Sequence, residues 1–413
     1  MAHVDQYGIP CAYIRGGTSK ALFFYEKDLP APGPLRDTVF KRLMGTPDAH
    51  QIDGMGGATT HTSKITLIKP SSREDADIDF TFVQVLPDED KVSYQGNCGN
   101  ISSAVGPFAL DEGLVKIVRK GYSTDESLTA REVRIFNTNT KSILISHIVV
   151  DPTTGYSLAT GGSRIAGVLG TGSPILMDYS NVSILNSSNP AFYGANTLQT
   201  LGGHIARGLL PSGNVIDHII VDGKDVEISI CDIGNYSIFV RAIDVGLTGS
   251  ETAGQITKNS GAVASLKELR GKGTQLIGQC KDWELVDEQC PGLPFVILVA
   301  PPSRDDVDIT ARVMLSNRCH DTMPGTGAVC LAAASRVEGS VVSKQMSDSS
   351  KRSNVLRISH PAGAMPVHVK RSSKEARAKG KEYETLSLER TSRRIMTGTV
   401  FVPQRVWAGP AQT

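Results

Sequence analysis

Runs of β-branched and aromatic residues, broken by Gly, Pro, Asn and Asp, dominate the chain. Ile65–Ile68, Phe80–Leu86, Val133–Phe136, Ser142–Val150, Val215–Ser229, Ser237–Val245 and Phe295–Val299 have the residue types of strands bounded by turns. Helical patterning is scarcer and predicts helices over Leu35–Met44, Cys98–Asp111, Asn196–Gly208, Ile309–Ser316 and Thr326–Glu338. Strands in excess, without regular alternation with helices, predict a strand-dominated α+β fold rather than a βαβ series.

Two of these helices open alike. One follows Gln95-Gly96-Asn97-Cys98-Gly99-Asn100 and reads ISSAVGPFAL; the other follows Met323-Pro324-Gly325-Thr326-Gly327 and reads AVCLAAASRV. A helix with no wide polar face must be surrounded by protein. The two lie roughly half the chain apart, which predicts a duplicated unit: two lobes, each wrapping strands around one buried helix whose N-terminus faces an interlobe cleft.

With 413 residues the chain is long enough for two or three domains with sizeable cores. Lys plus Arg (43) nearly cancels Asp plus Glu (42), so there is no global basic footprint for nucleic acid or an anionic membrane. Seven scattered Cys residues without CxxC pairs argue for a reducing compartment and against disulfides or a Cys-rich zinc site. No HxxxH or HExxH pair suggests a metal, and no apolar stretch is long enough to span a bilayer. Met1–Ile9 lacks a signal-peptide core, and a soluble cytoplasmic protein is the expectation. Ser343–Ser353 is polar and His368–Lys381 is basic; both are expected to be solvated surface, without a function.

Gly, at 41 residues, exceeds the usual share of about 7% and needs a reason. It clusters at Gly16-Gly17-Thr18-Ser19, Gly54-Met55-Gly56-Gly57, Gly96 to Asn100, Gly161 to Gly172, and Gly325-Thr326-Gly327. Such loops, above all where they open a helix, aim several N–H groups at one point and bind carboxylate or phosphate without Lys or Arg. Neither a P-loop nor a dinucleotide fingerprint is present. Two helix mouths suit a ligand with more than one carboxylate. Cys98 stands at the first turn of the first apolar helix, where unsatisfied N–H groups and the helix dipole stabilise a thiolate. Lys64 introduces the strand-like Ile65-Thr66-Leu67-Ile68, a place where an amine is either desolvated for proton transfer or snorkels to water. His320 precedes the second helix mouth as a candidate donor or relay.

At Lys64, at Gly96-Asn97-Cys98-Gly99-Asn100 and at Arg15-Gly16-Gly17-Thr18-Ser19-Lys20 the sequence resembles the PrpF family of isomerases. Gln51-Ile52-Asp53-Gly54, Gly170-Thr171-Gly172-Ser173-Pro174-Ile175, Asn189-Pro190, His360-Pro361 and Arg390 to Met396 extend the likeness over almost the whole chain. The family includes 2-methylaconitate cis-trans isomerase, 3-methylitaconate Δ-isomerase, 4-oxalomesaconate tautomerase and fungal aconitate Δ-isomerases. The resemblance implies the diaminopimelate epimerase-like fold, here with lobes over 1–182 and 183–395 and a segment 396–413 returning to the first. It also implies proton transfer at carbon without a cofactor, Lys64 and Cys98 as the catalytic pair, and His320 as the family's His. Thr18, Ser19, Asn97, Gly99, Asn100, His320, Gly325, Thr326 and Gly327 are the expected substrate-binding residues. Epimerases of this fold carry a second Cys at the second helix mouth, where Thr326 is read in this chain, so a two-thiol racemase is disfavoured.

The expected reaction is allylic isomerisation of an unsaturated di- or tricarboxylate, with cis-aconitate to trans-aconitate placed first. Methylaconitate and oxalomesaconate are alternatives, as are an amino-acid epimerase and a non-catalytic accessory of an aconitase-like partner. No metal, nucleic acid or membrane partner is expected, and a homodimer is the prior for an oligomer.

Overall fold

The computed structural model describes residues 5–94, 97–123, 125, 127–180, 209–378 and 381–409. The chain divides into two compact units, Met1–Leu176 with Arg390–Thr413, and Met177–Glu389. These bounds replace those expected at 182/183 and 395/396. The physical reason at the second is that Ser392–Pro403 is one continuous strand, paired from Ser392 to Pro403 with Gln6–Gly16, so the chain is already in the first unit at that strand's start.

The first unit contains β1 (Gln6–Gly16), β2 (Ser19–Tyr25), α1 (Pro34–Met44), β3 (Lys64–Pro70), β4 (Ile78–Val85), β5 (Val92–Ser93), α2 (Gly99–Asp111), β6 (Arg119–Lys120), β7 (Ala130–Asn137) and β8 (Ser142–Val149). β9 (Ile175–Asp178) crosses the unit boundary. The second unit holds β10 (Asp217–Val221), β11 (Lys224–Cys231), β12 (Ser237–Arg241), α3 (Ala253–Lys258), α4 (Ser260–Leu276), β13 (Phe295–Ala300), β14 (Ile309–Leu315), β15 (Arg318–Cys319), α5 (Gly325–Ala334), β16 (Val355–His360), β17 (Gly363–Arg371) and β18 (Tyr383–Arg390). β19 (Ser392–Pro403) belongs to the first.

The two units repeat one pairing scheme. In the first, β19 and β1 are antiparallel, as are β1 and β2; β2 and β3 are parallel, β3 and β4 antiparallel, β4 and β7 parallel, and β7 and β8 antiparallel. In the second, the same succession runs through β10, β11, β12, β13, β14, β16 and β17. Each unit also buries one apolar helix against these strands: α2 is buried from Gly99 to Ala109, and α5 along its whole length. The expected α+β architecture, strands around a central helix in each unit, is therefore what the chain adopts.

Strand alternation decides which side chains meet that helix. Ile65, Leu67, Val83 and Val85 point to one face and form a core with Val39, Phe40, Leu43 and Met44 of α1. Lys64, Thr66, Phe82 and Gln84, one residue out of phase, point to the other. In the second unit Val296, Leu298 and Met314 pack with Leu266 and Leu269 of α4. Phe295 and Ile297 face α5, where they line the space beside Gly327.

Several expectations change. Ile309–Ser316 is strand β14, not a helix: it lies between β13 and β16, buried from Ile309 to Met314. A strand covered on both faces has no alternation to show, and Ala311, Arg312, Met314 and Leu315 lend it a helical composition. Arg312 is tolerated there because its Nε donates to the Glu251 carbonyl at 2.6 Å. Val215–Ser229 is two strands around an Asp222-Gly223 turn with positive φ at both residues, the geometry of a two-residue hairpin. Ser237–Val245 leaves the sheet after Arg241 and ends in a 3₁₀ turn. The unexpected α4 contains Gly271 and Gly273, poor helix formers that allow close contact: a Cβ on Gly271 would lie 2.3 Å from the Trp283 carbonyl oxygen. The basic segment begins inside β17, where Lys370 pairs with Glu384 at 2.7 Å and Arg371 donates to the Arg336 carbonyl, so that part is sheet rather than a solvated insertion. The predicted helix Asn196–Gly208, the Asn189-Pro190 phrase and Gln95-Gly96 lie outside the described residues. No helix among the described residues is long and apolar enough to cross a membrane.

Glycine contacts give a direct test of this packing. Gly54 is exposed, yet a Cβ there would sit 2.2 Å from the Gly45 nitrogen and the Met44 carbonyl carbon, whereas Gly162 has open space around it. Gly54→Ala is expected to lower unfolding free energy by more than about 2 kcal/mol, and Gly162→Ala to stay within about 0.5 kcal/mol, by denaturant titration.

Candidate functional site

Lys64 opens β3 opposite Gln84 of β4 and beside Ala21 of β2. It is 7% exposed. Its Nζ donates to Gln84 Oε1 and stands 4.9 Å from the centroid of the Phe82 ring. Burial pushes the amine's proton affinity below that of an ordinary lysine, because the ammonium loses water that these partners only partly replace; the negative form of Cys98 opposes the shift. The even choice left by the sequence resolves to the desolvated amine.

Cys98 is the N-cap of α2, in extended conformation, and its side chain makes no capping hydrogen bond to the helix. The thiol is thus not spent on holding the helix end. It is partly exposed, whereas the other six cysteines are buried and all seven are free. Asn97 supports the turn, since Ser102 Oγ donates to Asn97 Oδ1 at 2.8 Å while also reaching the Cys98 carbonyl at 3.0 Å. The first-turn N–H groups, at Gly99 and Asn100, have no intrahelical acceptor. The β1–β2 turn closes over them. Gly17 has φ +52°, and a Cβ there would meet Asn100 Oδ1 at 2.2 Å. Asn100 Nδ2 donates to Thr18 Oγ1 at 3.0 Å, and Ser19 is buried at the start of β2. Lys64, Cys98, Asn97, Gly99, Asn100, Thr18 and Ser19 therefore all belong to the first unit, gathered around the α2 mouth and the adjoining strand ends.

The second unit repeats the arrangement with different chemistry. The β11–β12 turn passes over the α5 mouth with Gly234 at φ +78°, where a Cβ would lie 3.1 Å from the Thr326 carbonyl oxygen. Asn235 Nδ2 donates to Thr326 Oγ1 at 3.0 Å, both side chains being buried. Helix and turn have exchanged roles: the amide comes from the helix in one unit and from the turn in the other. The N-cap of α5 is Pro324, so Pro324, and not Thr326 as expected, stands where the first unit has Cys98. Thr326 matches Asn100. Phe295, the first residue of β13, pairs with Ser237 as Lys64 pairs with Ala21. Gly325, Thr326 and Gly327 form the first turn of α5. His320 lies in the loop before it, its Nδ1 engaged with Thr322 at 2.8 Å to the carbonyl oxygen and 3.0 Å to the nitrogen.

Not every Gly-rich loop is available to a ligand. In the 54–57 loop the Met55 and Gly56 N–H groups donate to the Leu43 and Met44 carbonyls, the first at 2.8 Å. Between Gly161 and Gly172, Ser163 and Gly172 exchange both backbone hydrogen bonds. These two clusters serve the fold. Gln51 is a support that composition does not flag: its Oε1 accepts from Ser63 Oγ at 2.6 Å and from the Ala58 N–H at 2.9 Å, anchoring the chain just before Lys64. Gln84 and Asn235 also escaped the sequence reading, since a lone Gln in a strand and a lone Asn in a turn carry no motif.

The family model described as "PrpF protein" matches residues 6–403. A 3-methylitaconate isomerase of Eubacterium barkeri is 39% identical, the match covering 96% of this chain and 98% of that protein. A 4-oxalomesaconate tautomerase of Pseudomonas putida is 36% identical, with coverages of 98% and 99%. The crystal structure of a methylitaconate Δ-isomerase superposes with a TM-score of 0.76 at 37% identity, covering 99% of each chain. A hydroxyproline epimerase from Agrobacterium vitis shares the fold alone, at a TM-score of 0.51, 13% identity and coverages of 99% and 98%.

The burial of Lys64 has a consequence for stability. Between its lowered native proton affinity and the ordinary lysine value of about 10.4, the unfolded chain binds more protons at this site, so stability rises with pH across that window. Lys64→Met removes that dependence. The melting temperature of the native protein, relative to the variant, is expected to climb as pH is raised from 7 toward 10.

Proposed function

The chain belongs to the PrpF family, and from that membership and the α2 mouth we propose that it isomerises an unsaturated di- or tricarboxylate by allylic proton transfer between Lys64 and Cys98. The observation that carries the reading is a buried amine, 7% exposed, within the electrostatic reach of a partly exposed thiol at a helix N-terminus. In such a substrate a C–H bond lies both α to a carboxylate and allylic to the C=C bond. The neutral Lys64 Nζ takes that proton, and the C–H electron pair moves into a delocalised dienolate. The Cys98 thiol gives its proton to the far carbon, and the C=C bond is left in its new place or geometry. The ammonium then returns a proton to the thiolate. Attraction between these two charges stabilises the intermediate ion pair, and no proton is lost from the enzyme over the cycle.

The added negative charge of the dienolate is the energetic difficulty. Backbone N–H groups at Gly99 and Asn100 offer fixed dipoles to it, and one such donor is typically worth about 2.7 to 4 kcal/mol. Thr18 accepts from Asn100 through Oγ1, which leaves its own proton to donate to a carboxylate. In the second unit Asn235 prepares Thr326 in the same way beside Gly325 and Gly327, an anion-binding surface of the same kind. Asn97 and Ser19 shape the first mouth, and His320 is retained as a substrate-binding residue of the second unit. Pro324 has neither thiol nor N–H, so the reading has one thiol and no racemase pair. No cofactor is required by the chemistry.

cis-Aconitate, expected from the sequence, stands in the panel beside 2-methylaconitate, 3-methylitaconate and 4-oxalomesaconate. Product NMR in D2O should show conversion of at least one member with deuterium at the allylic carbon. Lys64→Arg keeps the positive charge but cannot accept a proton at working pH, and is expected to lose at least about 1,000-fold in kcat/KM; Cys98→Ser is expected to lose at least about 100-fold. A folded Lys64→Arg protein with native activity contradicts the reading.

A further inference from the structure

Gln84 faces Lys64 directly across the β3–β4 pair. Its Nε2 is within hydrogen-bond distance of three backbone carbonyl oxygens, those of Ser63 at 3.0 Å and of Thr60 and Val85 at 3.2 Å each. A carbonyl can only accept, so the amide nitrogen must be the atom on that side, and this fixes the flip that geometry alone leaves open. Oε1 is thereby turned toward Lys64 Nζ, with which it is hydrogen-bonded. The amide is held by the very segment, Thr60 to Ser63, that delivers Lys64 into β3.

The hydrogen bond has a direction. A neutral amine has two N–H bonds and one lone pair; with one N–H given to Oε1, the lone pair is turned away from that oxygen. An acceptor is needed for this, but a charged acceptor would defeat the purpose, because a carboxylate at the same place would hold the lysine as ammonium. The duplicated unit supplies a natural control. Phe295 occupies the position of Lys64, and Leu315, which follows the Met314 paired with Val296, is the residue at the position of Gln84. Where the amine is absent, so is the amide.

We propose that Gln84 is a positioning residue of the isomerase: its side-chain carbonyl aims the Lys64 amine, and its being an amide rather than a carboxylate keeps that amine able to take a proton. The proposal rests on Lys64 being the base. The groups that face Lys64 are Gln84 and Phe82 from β4, Ala21 from β2 and Cys98 at the N-cap of α2; of these, Cys98 is the ionisable one, and its negative form favours the ammonium.

The test is the kcat/KM–pH profile of the full-length protein and of Gln84→Glu, Gln84→Met and Lys64→Arg, each first shown to be folded by circular dichroism and melting temperature. Gln84→Glu is expected to move the ascending limb up by at least one pH unit. Gln84→Met, which removes the acceptor, is expected to move it down and to lower kcat by about 10- to 100-fold with KM changed less than about 3-fold. Opposite shifts are not what a merely structural residue gives, and either variant carries the test if the other does not fold. A folded Gln84 variant with an unmoved limb and native kcat overturns the proposal while leaving Lys64→Arg inactive. An active Lys64→Arg instead overturns the base assignment and Gln84's role with it.

Discussion

One amine, that of Lys64, is kept out of water beside the α2 mouth. Lys64 begins a strand whose next residue, Ile65, belongs to the core on the opposite face, and strand alternation alone turns its side chain toward α2. There it meets an aromatic ring, an amide carbonyl and the field of one thiol, which together hold the ammonium less well than water does. A buried amine of this kind is costly as structure and useful as chemistry. The surrounding supports make sense in that light: Gln51 ties down Ser63, Gln84 holds the approach segment, and Gly17 lets the β1–β2 turn close on the helix mouth.

The repeat shows how one scaffold separates two tasks. Both units use the same succession of strand pairings, both lay a positive-φ glycine turn over the N-terminus of a buried helix, and both fix a threonine hydroxyl there with an asparagine amide. Only the first places an amine and a thiol there. Phe295 and Pro324 stand in the positions of Lys64 and Cys98 in the second, where neither an amine nor a thiol is supplied.

Much of this was legible in the residues. β3, β4, β7, β8 and β13 announce themselves by β-branched runs, and α2 by its small apolar residues and glycine-rich approach. The duplication could be read from the two helix mouths. The registers could not, because which residue faces Lys64 is set by the pairing of strands 20 residues apart in sequence. β14 read as a helix because a strand buried on both faces shows no period, and α4 went unread because its glycines serve packing against Trp283 and Ile238. The glycine surplus had two meanings that composition merges: at Gly17 and Gly234 it shapes helix mouths, while at Gly54, Gly56 and Gly172 it lets backbone segments pack or bond to one another. Thr326 was matched to the wrong neighbour for a related reason, since only the helix caps show that Pro324 is the residue in register with Cys98.

Lys64 is held out of water and so reaches the neutral state more readily than an exposed lysine. Titration of protein carrying ¹³Cε-lysine, followed by NMR and assigned with Lys64→Arg, measures this directly. One lysine resonance, missing in the variant, is expected to titrate below the ordinary value of about 10.4 and apart from the exposed lysines. A Lys64 resonance that titrates together with the exposed lysines contradicts it.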